Sequence, residues 1–481
     1  MDRGKPGRNE LFLVALTGAL LIAGSLIADG AGREAPPAKR AAAPPRLSIS
    51  NAVAISLARN LRMAEGRLSI QEKEHQRREA YSDFFPTLDL QYIAEANRYQ
   101  QAGNIQAFAG SQDARAASIV TTPGTLAAGF RDQVMSDYPY RIDPYRTFLL
   151  NATLTQPLFT AGKLLNNYKY ARLGVDFQEL QLEVTRQDLI LDVYEAYYQL
   201  LQSQKLLEVA NQSIIALESL RNQTMEFYKA GVVPKVDVLS TEGQLAQARI
   251  QKTQAQTDIE RYRAALNFLL RYPQETPTQI VEDMAYIPSP YGIPEIYRTA
   301  AGNRIEIRQA NISVEQALSL VKAAQADLIP QINIQVSGTR MNDDWNPFDP
   351  EAVNDWSVKG IAAWTLDMFR TRETVKERRA SQAKAFVARE LLVEQIMQDV
   401  KQAYADMKRS ESDIFNNKKA VEFRTESFRI NRERYKEQVA TYTEVLDAQR
   451  ELAQAQGDYY ISLIQYRINR ALLERRMGTL R

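Results

Sequence analysis

The sequence contains no cysteine and a single histidine among its 481 residues. The absence of cysteine excludes disulfide frameworks, zinc thiolate sites and cysteine nucleophiles. His75 lies alone in the charged run EKEHQRREA, so neither an imidazole-based metal site nor a Ser-His-Asp triad can be assembled. No nucleotide-binding motif is present either. The sequence therefore predicts a protein that is not an enzyme and that has no cofactor and no metal.

An excess of charge of one sign is also absent, because 60 Lys and Arg residues face 58 Asp and Glu residues. This balance argues against nucleic acid as a partner. Long apolar runs are absent after the N-terminal region, so no transmembrane helix is expected in the mature chain.

The one long apolar run lies at 11–27, after three basic residues and before a run of small residues. This pattern is typical of a secretory signal peptide, which we place at 1–32. A retained membrane anchor is the alternative. Residues 33–46, REAPPAKRAAAPPR, predict a flexible lead-in.

Proline and glycine are scarce in two long segments. Proline is absent from 158–233, and glycine is absent from 361–456. Because these residues are the strongest helix breakers, we expect helices of about 65 residues at 163–229 and 370–436. At 1.5 Å per residue, each would extend roughly 100 Å.

An apolar stripe on the first long helix recurs at spacings of three, four or seven, which is typical of a coiled coil. The stripe consists of Leu189, Val193, Tyr197, Leu200, Leu207, Ile214 and Leu217. A simple antiparallel coiled coil with no further function remains an open interpretation of this stripe.

Two pairs of segments reveal an internal duplication. Residues 228–248 and 435–455 are identical at nine of 21 positions, and 80–96 resembles 324–340. The two pairs have different offsets, 207 and 244, which indicates a longer insertion in the first copy. Duplication must be recognised before the fold is assigned.

We therefore predict two structural repeats, 47–271 and 293–477, joined by a proline-rich linker at 272–292. Each repeat is expected to contain a helix of about 35 residues, two strands, a long helix and a return helix. The linker lacks helical periodicity.

Four runs alternate between apolar and polar residues with a period of two, as half-apolar strands do. Each is about 10 residues long, which is enough for a tilted strand to cross a bilayer. The residues expected to face lipid are Leu88, Leu90, Tyr92, Phe148, Leu150, Ile332, Ile334, Val336, Trp356 and Val358. A sheet whose apolar face packs on a helix is the alternative. Polar segments at 99–145 and 341–354 are expected to form external loops.

Four strands cannot enclose a lumen, and lipid does not tolerate an open sheet edge. Several chains would therefore have to contribute strands to one barrel.

Together these features resemble the TolC-like outer-membrane efflux proteins, the exit ducts of bacterial drug-efflux and type I secretion systems. The resemblance covers about 47–477. It rests on ARN at 58–60, AGNRIEI at 301–307, QPLFTAGK at 156–163 and the twin hairpins followed by LAQA.

The resemblance implies an α+β membrane protein, a two-repeat subunit of a homotrimer. Three chains would form a 12-stranded β-barrel in the outer membrane, continued by a long α-helical coiled-coil tunnel in the periplasm. The implied function is a duct for efflux of small molecules or for type I protein secretion. The implied partners are outer-membrane lipid, a periplasmic adaptor (a membrane fusion protein) and an inner-membrane transporter. A periplasmic coiled-coil structural or adaptor protein without a barrel is the alternative.

The resemblance also assigns roles to the two hairpin breaks, as the periplasmic tip of the tunnel. The candidate gate or pore residues are Glu444, Asp447, Asp237 and Tyr435. The candidate adaptor-docking residues are Gly231, Val232, Val233, Pro234, Val439, Ala440 and Thr441.

The two acids of the second hairpin, Glu444 and Asp447, are three residues apart and share a helix face. Three chains would place six acids around one axis, and their repulsion would make a closed ring sensitive to pH and cations. Stabilisation of the helix start by negative charge is the alternative role. Ala440 occupies the position where an arginine could tie such a gate, so that ion pair is expected to be missing.

The second repeat departs from the first at its turns. Phe369 stands where the first copy has Gly162, so this strand-to-helix corner is expected to be built differently. Gln438 replaces Gly231 at the hairpin break, so we also expect the two tips to differ in shape.

Overall fold

The computed structural model describes residues 46–97, 145–343, 345–346, 349, 352–367 and 369–481. The chain divides into two units after Pro44, and every described residue belongs to the second unit. The predicted signal peptide and nearly all of the lead-in, 1–45, lie outside the described residues, as does nearly all of the predicted loop at 99–145.

Twelve helices and strands make up the described chain, in the same order in each half. The first half contains α1 (Ile49–Arg59), α2 (Leu61–Ser82), β1 (Thr87–Asn97), β2 (Tyr145–Phe159), α3 (Lys163–Lys229) and α4 (Lys235–Leu270). The second half contains α5 (Ile293–Asn303), α6 (Ile305–Ala326), β3 (Gln331–Asn342), β4 (Val353–Ala363), α7 (Arg370–Lys436) and α8 (Tyr442–Arg476). Corresponding helices have 11, 22 and 67 residues in both halves, and the return helices have 36 and 35.

The predictions for the long helices are confirmed, since α3 and α7 occupy the expected ranges. The prediction of one continuous helix before each strand pair is wrong. Each is broken once, at Asn60 and at Arg304, where the backbone is extended. The reason is that both side chains bond to the end of a return helix. Asn60 donates to the carbonyl of Leu269 at 3.0 Å, and Arg304 donates to the carbonyl of Arg475 at 3.0 Å.

The four strands form one antiparallel sheet in the order β1-β2-β3-β4. β4 ends at Ala363. The two strand-to-helix corners differ, as expected. Gly162 has a φ of 83° before α3, whereas Phe369 has a φ of −130° before α7.

The core runs along the helices. The stripe residues Leu189, Val193, Tyr197 and Leu200 of α3 are fully buried. Near the hairpin breaks, a cluster combines residues of α3, α4, α7 and α8. The sheet contributes little to this core, because almost all of its apolar side chains remain exposed or half-buried.

The linker between the halves lies against the middle of the helices. Leu47 and Ile280 form an isolated parallel bridge. The hydroxyl of Tyr197 donates to the carbonyls of Leu47 and Val281 at 3.1 and 2.5 Å. In the described part of the chain, no helix is both long enough and apolar enough to cross a membrane.

Candidate functional site

The two helical hairpins end in turns with the same backbone conformation. In the first hairpin Gly231 has a φ of 76°, and the following N–H donates to the carbonyl of Phe227 at 2.9 Å. In the second, Gln438 has a φ of 60°, and the following N–H donates to the carbonyl of Arg434 at 2.8 Å. Both are Schellman ends. The expectation that the tips differ in shape is wrong, because Gln438 adopts the left-handed conformation that glycine supplies without strain.

Two tyrosines of the second hairpin pack into the first hairpin. Tyr435 is 3% exposed, and its hydroxyl lies 3.3 Å from that of Thr224. Tyr442 is 4% exposed and donates a hydrogen bond to Thr241. Burial raises the pKa of both tyrosines. The structure thus places the side chain of Tyr435 between the two hairpins of one chain, and its role in a gate stays a prediction.

Two of the three remaining candidate gate residues, Glu444 and Asp447, are acids beside arginines. Arg434 lies 3.8 Å from Glu444, and Arg450 lies 2.9 Å from Asp447. All four side chains are about half exposed. Asp237 lies half-buried in the first turn of α4, at the matching position of the other hairpin. The tip therefore carries charges of both signs, in place of the bare acids expected.

The two arginines were missed in the sequence for different reasons. Arg450 follows Asp447 by three residues, a helical spacing that identifies ion pairs and could have found it. Arg434 precedes Glu444 by ten residues and comes close only because the turn between α7 and α8 reverses the chain. Among the described residues, no group of three or more His, Asp or Glu side chains could hold a metal ion.

The residues predicted to dock an adaptor lie on the surface of the two turns. Val232 is 48% exposed and Val439 is 68% exposed. Gly231, Pro234 and Thr441 are also exposed, and Val233 and Ala440 are half-buried. Thr441 caps α8 by accepting the N–H of Glu444 at 3.4 Å. The tips thus present small apolar side chains next to the paired charges.

One face of the sheet is apolar and exposed. Leu88, Leu154, Val336 and Val358 are directly opposed across all four strands, and they are 44, 39, 38 and 58% exposed. All residues predicted to face lipid share this face, namely Leu88, Leu90, Tyr92, Phe148, Leu150, Ile332, Ile334, Val336, Trp356 and Val358. A sheet that packs on a helix would bury this face, so the alternative is not supported.

The opposite face of the sheet is polar. Asp89, Thr153, Ser337 and Ser357 form one directly opposed row on it. The hydroxyls of Ser337 and Ser357 lie 2.8 Å apart. Along β3 the apolar residues are the exposed ones, and the polar residues are half-buried except for the buried Arg340, which inverts the pattern of a water-soluble sheet.

Comparison with known sequences gives a family match over most of the chain. The family model described as "Outer membrane efflux protein" matches residues 53–270 and 296–479. Nodulation protein T of Rhizobium leguminosarum bv. viciae is 23% identical over 331 residues, which is 65% of each chain. The alignment thus spans slightly less than two thirds of that relative.

Solved structures share the fold at low sequence identity. The outer membrane protein VceC of Vibrio cholerae has a TM-score of 0.72 at 16% identity, covering 89% of this chain and 96% of that one. The CmeC outer membrane channel of Campylobacter jejuni has a TM-score of 0.71 at 14% identity, covering 90% and 85%. These chains therefore share the fold described above, with its two repeats of helices and its four-stranded sheet.

Proposed function

The chain belongs to the outer membrane efflux protein family, and we propose that it works as a passive exit duct in a homotrimer. Small molecules or polypeptides would pass through it after an inner-membrane transporter and a periplasmic adaptor have delivered them. The energy for transport would come from the transporter, and the duct itself would carry out no chemistry.

The observation that carries this proposal is the exposed apolar face of the sheet. Leucine, isoleucine, valine and tryptophan side chains lie on the surface of this face, whereas the row of Asp89, Thr153, Ser337 and Ser357 lies on the other face. Water disfavours such a surface, and the hydrocarbon layer of a bilayer favours it. The polar face would then line a water-filled lumen.

The open edges of the sheet support assembly from several copies. β1 and β4 each have 11 residues, and within the described chain each pairs on one side only. An unpaired edge is not tolerated in lipid. If β4 of one chain pairs antiparallel with β1 of the next, three chains of four strands close a barrel of 12 strands.

The helices would continue the barrel as a tunnel. α3 and α7 have 67 residues each, so each spans roughly 100 Å. Their apolar stripes are buried within one chain, and the linker binds them at mid-height. We infer that the tips at Gly231 and Gln438 form the adaptor-docking end, farthest from the membrane.

The charges at the tip fit a gate that is tied by ion pairs. Glu444 and Asp447 would approach the axis together with Arg434 and Arg450, so their repulsion would be partly offset. We propose that Tyr435 acts indirectly, by fixing the second hairpin onto the first.

The test uses a matched pair of substitutions on neighbouring residues of β3. Ile334→Asp places a charge on the apolar face, and Gln335→Asp places the same charge on the polar face. We expect Ile334→Asp to abolish the heat-modifiable trimer in outer-membrane extracts, because a charge facing lipid is costly, whereas Gln335→Asp should assemble normally. Leu90→Asp should repeat the result on β1.

Two outcomes would contradict the proposal. One is a detergent-solubilised parent chain that runs as a monomer, with no trimeric species. The other is equal assembly of the two β3 variants, which would indicate that the apolar face does not contact lipid.

A further inference from the structure

One complete row of apolar side chains interrupts the polar face of the sheet. Ile93, Leu149, Met341 and Val353 are directly opposed across the four strands. Ile93, Met341 and Val353 are 41, 42 and 59% exposed. The row continues from one edge strand to the other, so it is a property of the whole sheet.

We propose that this row, the luminal apolar band, binds the apolar body of amphiphilic organic cations inside the duct. The inference rests on the proposed function, which directs the polar face toward the lumen. Each chain contributes one row of four residues, so three chains would place 12 apolar side chains on the wall of the lumen. Contact with such a row removes apolar area of a passing molecule from water, which favours its binding there.

The charges around the band indicate a cation as the ligand. Asp355 lies one row from the band on one side, and Glu95 lies one row from it on the other. Neighbouring rows on one face are two residues, about 6.8 Å, apart. Across the polar face of the four strands, the acids Asp89, Glu95 and Asp355 outnumber the one basic residue, Lys359. Carboxylates on both sides of the apolar row favour a positively charged molecule and disfavour an anion.

The band would therefore discriminate by two properties of the molecule. A small cation without an apolar body would meet only the acids, and an apolar anion would meet only the band. A molecule with both features would contact both, so it should bind more tightly than either.

The experiment measures binding of three probes to the trimer in lipid nanodiscs by equilibrium dialysis. The probes are tetraphenylphosphonium, tetramethylammonium and tetraphenylborate. We expect the parent protein to bind tetraphenylphosphonium most tightly. The double variant Ile93→Ser, Met341→Ser should bind it about tenfold more weakly, because each chain loses two of the four apolar side chains of its row. Asp355→Asn should weaken tetraphenylphosphonium binding and strengthen tetraphenylborate binding, because the carboxylate that attracts the cation and repels the anion is removed.

Ile361→Ser is the matched control, because Ile361 lies on the same face, opposite Asn333, but outside the band. It should bind tetraphenylphosphonium as the parent does. Equal binding by the parent and the double variant would overturn the inference, and so would tighter binding of tetraphenylborate than of tetraphenylphosphonium.

A labelling experiment separates this inference from the proposed function. The chain has no cysteine, so Ser337→Cys introduces a single thiol on the polar face. A membrane-impermeant maleimide should label it in the inserted trimer. Labelling combined with unchanged binding by the double variant would overturn the luminal apolar band alone. An unlabelled Ser337→Cys trimer would overturn the lumen assignment and the band together.

Discussion

At the scale of single residues, the two tips have the same backbone conformation although their side chains differ. Gly231 and Gln438 both have positive φ, at 76° and 60°. A side chain in this region is strained by contact between Cβ and the backbone, and glycine is not. The backbone conformation of the second tip therefore carries a local strain energy at Gln438 that is absent at Gly231 in the first tip.

Gln438→Gly should relieve this strain and stabilise the second tip by about 1 kcal/mol. Amide hydrogen exchange in the turn at 437–441 should slow by about fivefold, as a change of this size predicts. Gly231→Gln is the reciprocal control and should speed up exchange in the first tip. Unchanged exchange in both variants would show that neither turn is strained.

Prediction for single residues succeeded where the residue type itself determines the backbone conformation that the position can adopt. The difference between the corners at Gly162 and Phe369 followed from glycine's freedom alone. The Gln438 prediction failed because the surrounding helices, which the residue itself does not reveal, impose the left-handed turn. The burial of Tyr435 was not predictable for a similar reason, since an aromatic residue near a turn can equally face a partner helix or solvent.

At the scale of elements, the linker binds helices from both halves through tyrosines and charges. Tyr197 of α3 donates to the carbonyl of Val281, and Tyr466 of α8 donates to the carbonyl of Ile287. Arg467 of α8 pairs with Asp283 at 2.7 Å. The linker thus joins α3 to α8 at one height.

Alkaline pH should loosen the linker through its tyrosines. Burial raises the pKa of Tyr197 to about 12, above the ordinary value of about 10. A phenol whose pKa is raised on folding contributes its full stability below pH of about 10 and loses it as the pH rises toward about 12. We expect amide exchange at 279–283 to accelerate across this window.

Tyr197→Phe should remove part of that pH dependence, because no proton can then be lost at this position. The variant should also show faster exchange at neutral pH, since one hydroxyl no longer bonds two carbonyls. A Tyr197→Phe profile identical to the parent's across the window would contradict the assignment to Tyr197.

Helices were predictable from the sequence where proline and glycine are scarce over a long segment. The scarcity of proline and glycine was sufficient to place α3 and α7. The breaks at Asn60 and Arg304 were not predictable, because the partners that select the extended backbone, the carbonyls of Leu269 and Arg475, lie about 200 and 170 residues away in the chain.

At the scale of the whole described chain, the links between the two halves change in chemistry along the helices. Near the sheet and at mid-height they include ion pairs, such as Lys163–Asp327 at 2.8 Å and Arg475–Asp188 at 2.7 Å. Nearer the tips, the side-chain hydrogen bonds that join the halves are neutral. They are Ser213–Gln449, Thr224–Tyr435 and Thr241–Tyr442.

Salt should therefore weaken the ion-paired links of the linker and leave the neutral links nearer the tips unchanged. Raising the salt concentration from about 0.05 M to about 1 M shortens the range of charge interactions to about 3 Å. We expect amide exchange to rise in the linker at 281–287, where Glu282 and Asp283 form ion pairs, and to change little around Thr224 and Thr241, whose links to the second half are neutral. A uniform response along the helices would contradict this division.

The equal length of α3 and α7 restricts how this chain can change in evolution. An insertion in one helix alone would set the two tips at different depths and rotate one of them by about 100° for each added residue. Lineages that lengthen or shorten the duct would therefore have to alter both halves together, in steps near seven residues that preserve the buried stripe. Because α3 and α7 have 67 residues each, a change of length in one copy would have to be matched in the other to keep the two tips at the same depth.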